Sequence, residues 1–387
     1  MKIDIAKGDL DAALQVVTPV AKSSSNDLTA HVIFRRRDNG QVEALCSSGR
    51  IGASTLLAGC KVTVSDDDHE KFTTEASRLN KWVAAEEDGV FTLEEEKPGV
   101  VVARGSLGFV KFLSDDPDKF PFWDESLSEA TLAAKVPAKR LHAALSYVRM
   151  FVSDKDTTNP KLGVTEVISG SLQATDKGAL AVVTLPELKD SQLRLHREDL
   201  SYVLSFVSGC GDNGEVEIRE HERCLFFVRP DGSVLMVARS HHAFPAINLD
   251  KDAQDPHWWT VQAGKLHASI NALDAAASKE DDRLRFQIEG GKVLLSMTAP
   301  DGERMVYKID AIDPGSQKDV AVPLPDEGFD LSNRYLLKVL GQHRADSVLF
   351  GINPQMDKKT KKLSGGWVRF REERDGDDYL TLLVWQR

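Results

Sequence analysis

Val136-Pro-Ala-Lys-Arg-Leu-His-Ala-Ala-Leu-Ser-Tyr-Val-Arg149 reads as a short strand that runs directly into an amphipathic helix. Leu141, Ala144, Leu145 and Val148 stand at i, i+3, i+4 and i+7 and so share one helix face, with Arg140, His142 and Arg149 on its flanks. The same pattern occurs twice more, in residues 3–14 and 260–270, and aligning Leu10, Leu141 and Leu266 gives spacings of 131 and 125 residues. A second helix repeats as well. Leu79, Trp82 and Val83 correspond to Leu200, Val203 and Leu204 and then to Leu336, Val339 and Leu340, with the leading leucines 121 and 136 residues apart. Phe120-Pro121 returns as Phe244-Pro245, 124 residues later. Three markers in one order, at a spacing near one domain length, identify an internal threefold repeat.

At 387 residues the chain has room for two or three domains, and the repeat selects three: 1–130, 131–254 and 255–387. The apolar and charged fractions are those of a soluble globular protein, and no apolar run approaches the roughly 20 residues of a membrane span. Met-Lys-Ile-Asp-Ile enters a strand at once and has no signal-peptide character, which predicts a cytoplasmic protein. Cys46, Cys60, Cys210 and Cys224 form no CxxC pair, as expected of thiols in a reducing compartment. The formal net charge of −11 argues against a chain coated with positive charge, but leaves room for a local basic surface.

Along the first repeat, a hairpin is predicted from His31–Arg37 and Val42–Cys46 around Asp38-Asn39-Gly40. Thr73 or Thr74 is placed to cap the second helix, which should run to Glu87. Strands follow at 90–95 and 100–105, then a proline-marked linker from Leu113 to Asp124. The second repeat has alternating strands at Glu215–Ile218, Cys224–Val228 and Val234–Ala238, and the third ends in a strand from Tyr379 to Trp385. Each repeat is therefore an α+β unit in which two helices cover one face of antiparallel sheet.

No catalytic constellation stands out. Walker, GxGxxG and HExxH patterns are missing, and His241-His242 would point to opposite faces of a strand, so neither a metal nor any other cofactor is expected. Trp258-Trp259 is assigned to packing between domains, and the acidic runs Asp66–Asp68 and Glu94–Glu96 to solvated surface. The lysine-rich loop at 358–362 is either a solvated hairpin tip or a phosphate contact. The repeated helices carry Arg78, Lys81, Arg140, Arg149, Arg197, Lys265, Arg334 and Lys338, diluted by Asp11, Glu86, Glu87, Glu198 and Asp199.

This order of elements resembles the bacterial DNA polymerase III beta subunit, the sliding-clamp family, over the whole chain. Thr175-Asp176-Lys-Gly-Ala-Leu180-Ala181 is similar to the family's Thr-Asp-Gly-His-Arg-Leu-Ala segment, and the strand leading to Phe244-Pro245 resembles the one leading to its Phe-Pro-Asp-Tyr. The resemblance implies three clamp domains per chain and a head-to-tail homodimer forming a six-domain ring. Double-stranded DNA would pass through unread, held by Lys22, Arg78, Lys81, Arg149, Arg197 and Lys338. It also implies a replicative polymerase and a clamp loader as partners, no enzymatic activity, no membrane association, and a place in the cytoplasm at the nucleoid.

A partner-peptide cleft would use Leu162, Thr175, Leu180, Pro245, Leu249, Leu383, Val384 and Trp385. Gly178-Ala179 replaces the family's His-Arg and Val384–Arg387 its proline-methionine tail, which implies altered specificity. The dimer contact would join Phe109, Val110 and Phe112 to Ala275 and Ala276. Two other readings stand beside the clamp: a clamp-fold regulator that binds clamp partners or another clamp without encircling DNA, and an enzyme on an unrelated α+β fold.

Overall fold

The computed structural model describes residues 1–21, 28–64, 70–153, 158–211, 213–245, 247, 257–276, 282–312, 328–343, 345–356 and 363–385, with 257, 258, 354–356, 363–365 and 385 described by backbone alone. Lys22, Leu249 and the loop at 358–362 lie outside the described residues, as does the acidic run Asp66–Asp68.

Among the described residues, six helices start directly from the end of a strand. Lys2–Ala6 leads into α1 (Lys7–Val17), Lys71–Glu75 into α2 (Ala76–Ala85), and a short α3 (Asp124–Glu129) follows. Thr131–Pro137 leads into α4 (Ala138–Arg149) and Arg194–His196 into α5 (Arg197–Ser208). His257–Gln262 leads into α6 (Ala263–Ala276) and Phe329–Ser332 into α7 (Asn333–Gln342). The aligned leucines 10, 79, 141, 200, 266 and 336 are all fully buried, so the residues that reveal the repeat are also those that anchor each helix. The helices α1, α2 and α7 have no side-chain N-cap bond and depend instead on their packed faces. Thr73 and Thr74 are not caps, a correction to the sequence reading. They lie buried in the strand Lys71–Glu75, where Thr73 Oγ1 accepts the Asp115 N–H at 2.7 Å.

The chain divides into two compact units, residues 1–143 with 190–241, and residues 144–189 with 242–387. The first holds a five-stranded sheet in the order Lys61–Thr63, Lys2–Ala6, Val90–Lys97, Val100–Arg104, Phe109–Leu113. Its second sheet has eight strands in the order Thr131–Pro137, Glu215–Glu220, Cys224–Val228, Val234–Ala238, Ile51–Leu56, Val42–Ser47, His31–Arg36, Lys71–Glu75. A seam between Val234–Ala238 and Ile51–Leu56 joins strands of the first and second repeats, with Met236 opposite Gly52 and Val234 opposite Ser54. The buried hydroxyls of Thr55 and Ser233 lie 2.7 Å apart across this seam.

The linker after the first repeat covers that seam. Phe120 and Trp123 join Ile33, Leu45, Phe226, Val234 and Met236 in one buried cluster. A Cβ on Gly52 would stand 2.5 Å from the Trp123 ring, so the ring requires glycine beneath it. Arg35 latches the linker: it donates to Asp124 at 2.7 and 2.9 Å and to the fully buried Glu43 at 2.7 Å, and lies 4.6 Å from the Phe122 ring centroid. Burial alone would lower the Arg35 pKa, but the bonds to Asp124 and Glu43 raise it well above its ordinary value. The bond from Arg35 in turn holds the Asp124 carboxyl below its ordinary range.

The second unit repeats this plan. One sheet runs Val164–Ile168, Ser171–Thr175, Ala179–Thr184, Asp377–Trp385, Leu363–Arg374, Ser347–Met356, His257–Gln262. The other runs Arg304–Asp310, Lys292–Thr298, Arg283–Glu289, Phe329–Ser332. Here the seam joins the second and third repeats, with Leu180 opposite Leu382 and Val182 opposite Leu380. Trp259 was expected between domains. It is instead buried inside this unit and stacks on Phe350 with centroids 6.0 Å apart.

Two predictions follow from the first seam. Gly52→Ala should lower unfolding stability by about 1–3 kcal/mol through overpacking against Trp123, as measured by urea denaturation. The Asp124 pKa is depressed in the folded state, so its contribution is present above the ordinary carboxylate pKa of about 4 and is lost as pH falls through the lower folded value. Acid titration of stability should therefore be shallower in Asp124→Asn than in the parent protein.

Candidate partner cleft, sheet edges and basic helices

Directly paired residues of an antiparallel sheet point to the same face, which locates the predicted cleft residues in the second unit. Thr175 pairs with Leu180, Leu180 with Leu382, and Leu382 with Arg369, while Val384 pairs with Trp367 one rung away. Leu180, Val182, Leu380 and Leu382 form an apolar cluster with Phe244, on which Ile247 and Trp367 pack. The Phe244 N–H donates to Glu166 Oε2 at 2.7 Å and fixes this segment over the sheet. Leu383, one residue from Leu382, lies on the opposite face, paired with Ala179 and Val368. Leu162, Thr175 and Leu180 are buried, whereas Pro245 and Val384 are half-buried. Leu249 lies outside the described residues, and Trp385 is described by backbone alone.

A helix borders the corner of this surface. Tyr335 of α7 donates its hydroxyl to Asp176 Oδ2 at 2.8 Å, and burial together with that carboxylate pushes the phenol pKa well up. The Val384 N–H donates to the Gly178 carbonyl at 3.1 Å, so the last strand is pinned to the same turn.

The predicted dimer residues fall on one sheet edge and one helix end. Phe109–Leu113 is the terminal strand of the five-stranded sheet, and its side chains alternate. Phe109 is 66% and Leu113 79% exposed, Val110 is half-buried, and Phe112 is 2% exposed beneath the Arg78 guanidinium, 5.3 Å from its ring centroid. In the second unit, Arg304–Asp310 is likewise a terminal strand, with Val306 46% and Tyr307 42% exposed. Ala275 and Ala276 lie exposed at the end of α6.

The described basic residues are spread over four helices. Arg78 and Lys81 of α2 and Arg149 of α4 are exposed, and Arg197 of α5 is half-buried. Lys338 of α7 is already engaged, donating to the Met150 carbonyl at 2.8 Å. Three of the acids that dilute the charge pattern, Glu86, Glu198 and Asp199, are also committed. Glu86 is buried and accepts the Leu107 N–H at 2.9 Å, fixing the turn before Phe109. Arg50 holds the fully buried Asp199 at 2.8 and 3.1 Å and reaches Glu198 at 3.4 Å.

The architecture matches solved structures from end to end. The DNA polymerase III subunit beta of Pseudomonas aeruginosa aligns with 100% of both chains at a TM-score of 0.79 and 16% identity. The DNA polymerase sliding clamp of Caulobacter crescentus gives 100% of both chains, 0.78 and 16%. The DNA polymerase beta subunit of Streptococcus pyogenes gives 100% of both, 0.79 and 12%. The chain has the sliding-clamp fold. Neither a protein-family model nor a curated protein sequence matches it.

Within the sliding-clamp fold, residues that the sequence reading passed over now stand out. Val182, Leu380 and Leu382 belong to the apolar cluster, and the period-two alternation that separates Leu382 from Leu383 was the available signal. Leu113 escaped because it was read as the start of a linker. Val306 and Tyr307 lay on a strand to which no role was given, and Tyr335 on a helix read for its apolar face and its basic residues. The edge geometry predicts that Phe112→Ala costs about 3–5 kcal/mol of folding stability. Phe109→Ser should leave the unfolding free energy of an isolated protomer within about 0.5 kcal/mol, measured under dilute conditions.

Proposed function

We propose that this protein is a DNA sliding clamp: two copies join head to tail, close a ring around duplex DNA and tether a replicative polymerase for processive synthesis. The observation that carries the reading is the pair of terminal strands, Phe109–Leu113 and Arg304–Asp310, one in each unit of a full-length clamp fold. Each presents two large exposed apolar side chains. An edge strand that carries unmet backbone hydrogen-bonding groups and exposed apolar side chains invites pairing with another edge, and a heterologous contact repeated by rotation closes a ring. Each chain would contribute three clamp domains, 1–130, 131–254 and 255–387, and the closed dimer six.

Such a ring needs no catalytic group. It holds DNA by topology, so a few phosphate contacts from Arg78, Lys81, Arg149 and Arg197 suffice, and a net charge of −11 is compatible with sliding. Because Arg50 pairs with both Glu198 and Asp199, less negative charge opposes those contacts than the acids of the helices alone suggest. The tether acts by raising the polymerase's effective concentration at the template. Its peptide would dock around Pro245, Val384 and the Leu180–Leu382 cluster, and a clamp loader would open the ring in the cytoplasm, at the nucleoid. The second reading is a clamp-fold regulator that does not encircle DNA. The small exposed side chains of Ala275 and Ala276 favour it, because they offer little apolar surface to a second copy.

Replacing both Lys81 and Arg149 with Glu should weaken binding to linear duplex DNA and reduce the slope of log affinity against log salt by about two units per protomer. Fluorescence anisotropy across a salt series measures this. An unchanged slope would remove these residues from the DNA-facing surface.

A further inference from the structure

We propose that α7 couples DNA occupancy to the shape of the partner cleft, with Tyr335 as the positioning residue between the two. The inference deepens the clamp reading and rests on it. Tyr335 and Lys338 stand at i and i+3, so they are neighbours on one helix face. The Lys338 ammonium lies 5.3 Å from the Tyr335 ring centroid and 5.9 Å from that of Phe151, and donates to the Met150 carbonyl at 2.8 Å. On its other side the tyrosine is built into the turn that borders the cleft. Its hydroxyl donates to Asp176 at 2.8 Å, and its ring leaves Gly178 no room for a side chain, since a Cβ there would stand 2.7 Å from Cε2.

The turn is connected onward to the cleft strands. Thr175 Oγ1 donates to the Ala179 carbonyl at 2.6 Å, the Ala179 N–H to Asp176 Oδ1 at 3.2 Å, and the Val384 N–H to the Gly178 carbonyl at 3.1 Å. An unbroken series of direct contacts therefore runs from Lys338 through Tyr335 to Asp176 and Gly178 and on to Val384, all inside one compact unit.

Two arrangements compete for the ammonium. In one it is held by the Met150 carbonyl and the two rings. In the other it turns to a DNA phosphate, which forms a stronger, charge-assisted hydrogen bond than a neutral carbonyl does. The second arrangement withdraws the cation from the Tyr335 ring and with it the attraction that holds the ring in place. The ring is in contact with Gly178 and bonded to Asp176, so its displacement moves the turn and loosens the Val384 bond at the cleft. Linkage makes the effect reciprocal: a peptide that favours one form of the turn changes the affinity for DNA by the same factor.

Hydrogen exchange on the full chain tests the coupling, with a short linear duplex as the probe and fluorescence anisotropy as an independent measure of DNA binding. In the parent protein, saturating duplex should speed exchange at Val384 and the 176–179 turn by about fivefold or more, the lower range of site-to-site couplings. Tyr335→Phe keeps the ring but not the Asp176 bond. It should bind the duplex with unchanged affinity and lose the DNA-dependent change at Val384. Lys338→Met should show faster Val384 exchange before any DNA is added, and no response to it. Duplex binding without altered exchange in the parent protein, or a response retained in Tyr335→Phe, would overturn the coupling while leaving the clamp reading intact. No duplex binding by the parent protein would also overturn the coupling, because the phosphate that is to draw Lys338 from Tyr335 would not reach it.

Discussion

The structure depends on backbone pairing between strands of different repeats. A clamp repeat by itself ends in open sheet edges, and an open edge is a row of unmet hydrogen-bonding groups. The chain meets this by joining Ile51–Leu56 to Val234–Ala238 and Ala179–Thr184 to Asp377–Trp385, so that the longer sheet of each unit runs on from one repeat into another. Registers are fixed by burial on the seam face. A slip of one residue would turn Met236 or Leu382 away from its cluster and present the opposite side chains instead. The proposed dimer extends the same solution to the edges that carry exposed Phe109, Leu113, Val306 and Tyr307.

The two seams are covered in related ways, and the difference bears on function. In the first unit the linker places Phe120 and Trp123 over the joined strands, and Gly52 makes space for the indole. Arg35 then clamps the linker through Asp124 and Glu43. In the second unit the residue paired across the seam in the place of Gly52 is Leu180, which fills that space itself, and Phe244 and Ile247 pack above it. The seam surface assigned to partners therefore has its own side chains where the first seam has a borrowed aromatic.

Much of the fold was legible in the sequence because its signals are local and repeated. Leu10, Leu141 and Leu266 mark helices by their spacing, and the same residues are buried because each helix has a single apolar face. The hairpin strands His31–Arg36 and Val42–Ser47 formed where predicted. What remained hidden depends on tertiary partners. Thr73 has the composition of a helix cap but bonds to Asp115, far along the chain. Glu86 and Asp199 read as exposed acids, although one fixes a turn and the other is held by Arg50. Of the candidate site, the apolar character of the cleft and of the edge at Phe109 was readable. The identity of the face was not, because Leu382 and Leu383, or Val110 and Phe109, differ only in which way a strand turns them.

The central claim is that two copies close on one another through their sheet edges, and solution mass tests it most directly. Light scattering across a dilution series should give twice the 42.7 kDa chain mass for the parent protein. Placing Asp at both Phe109 and Val306 should bring it to the single-chain value without loss of folded structure. A parent protein that is monomeric at every concentration, or a dimer indifferent to both substitutions, would contradict the ring.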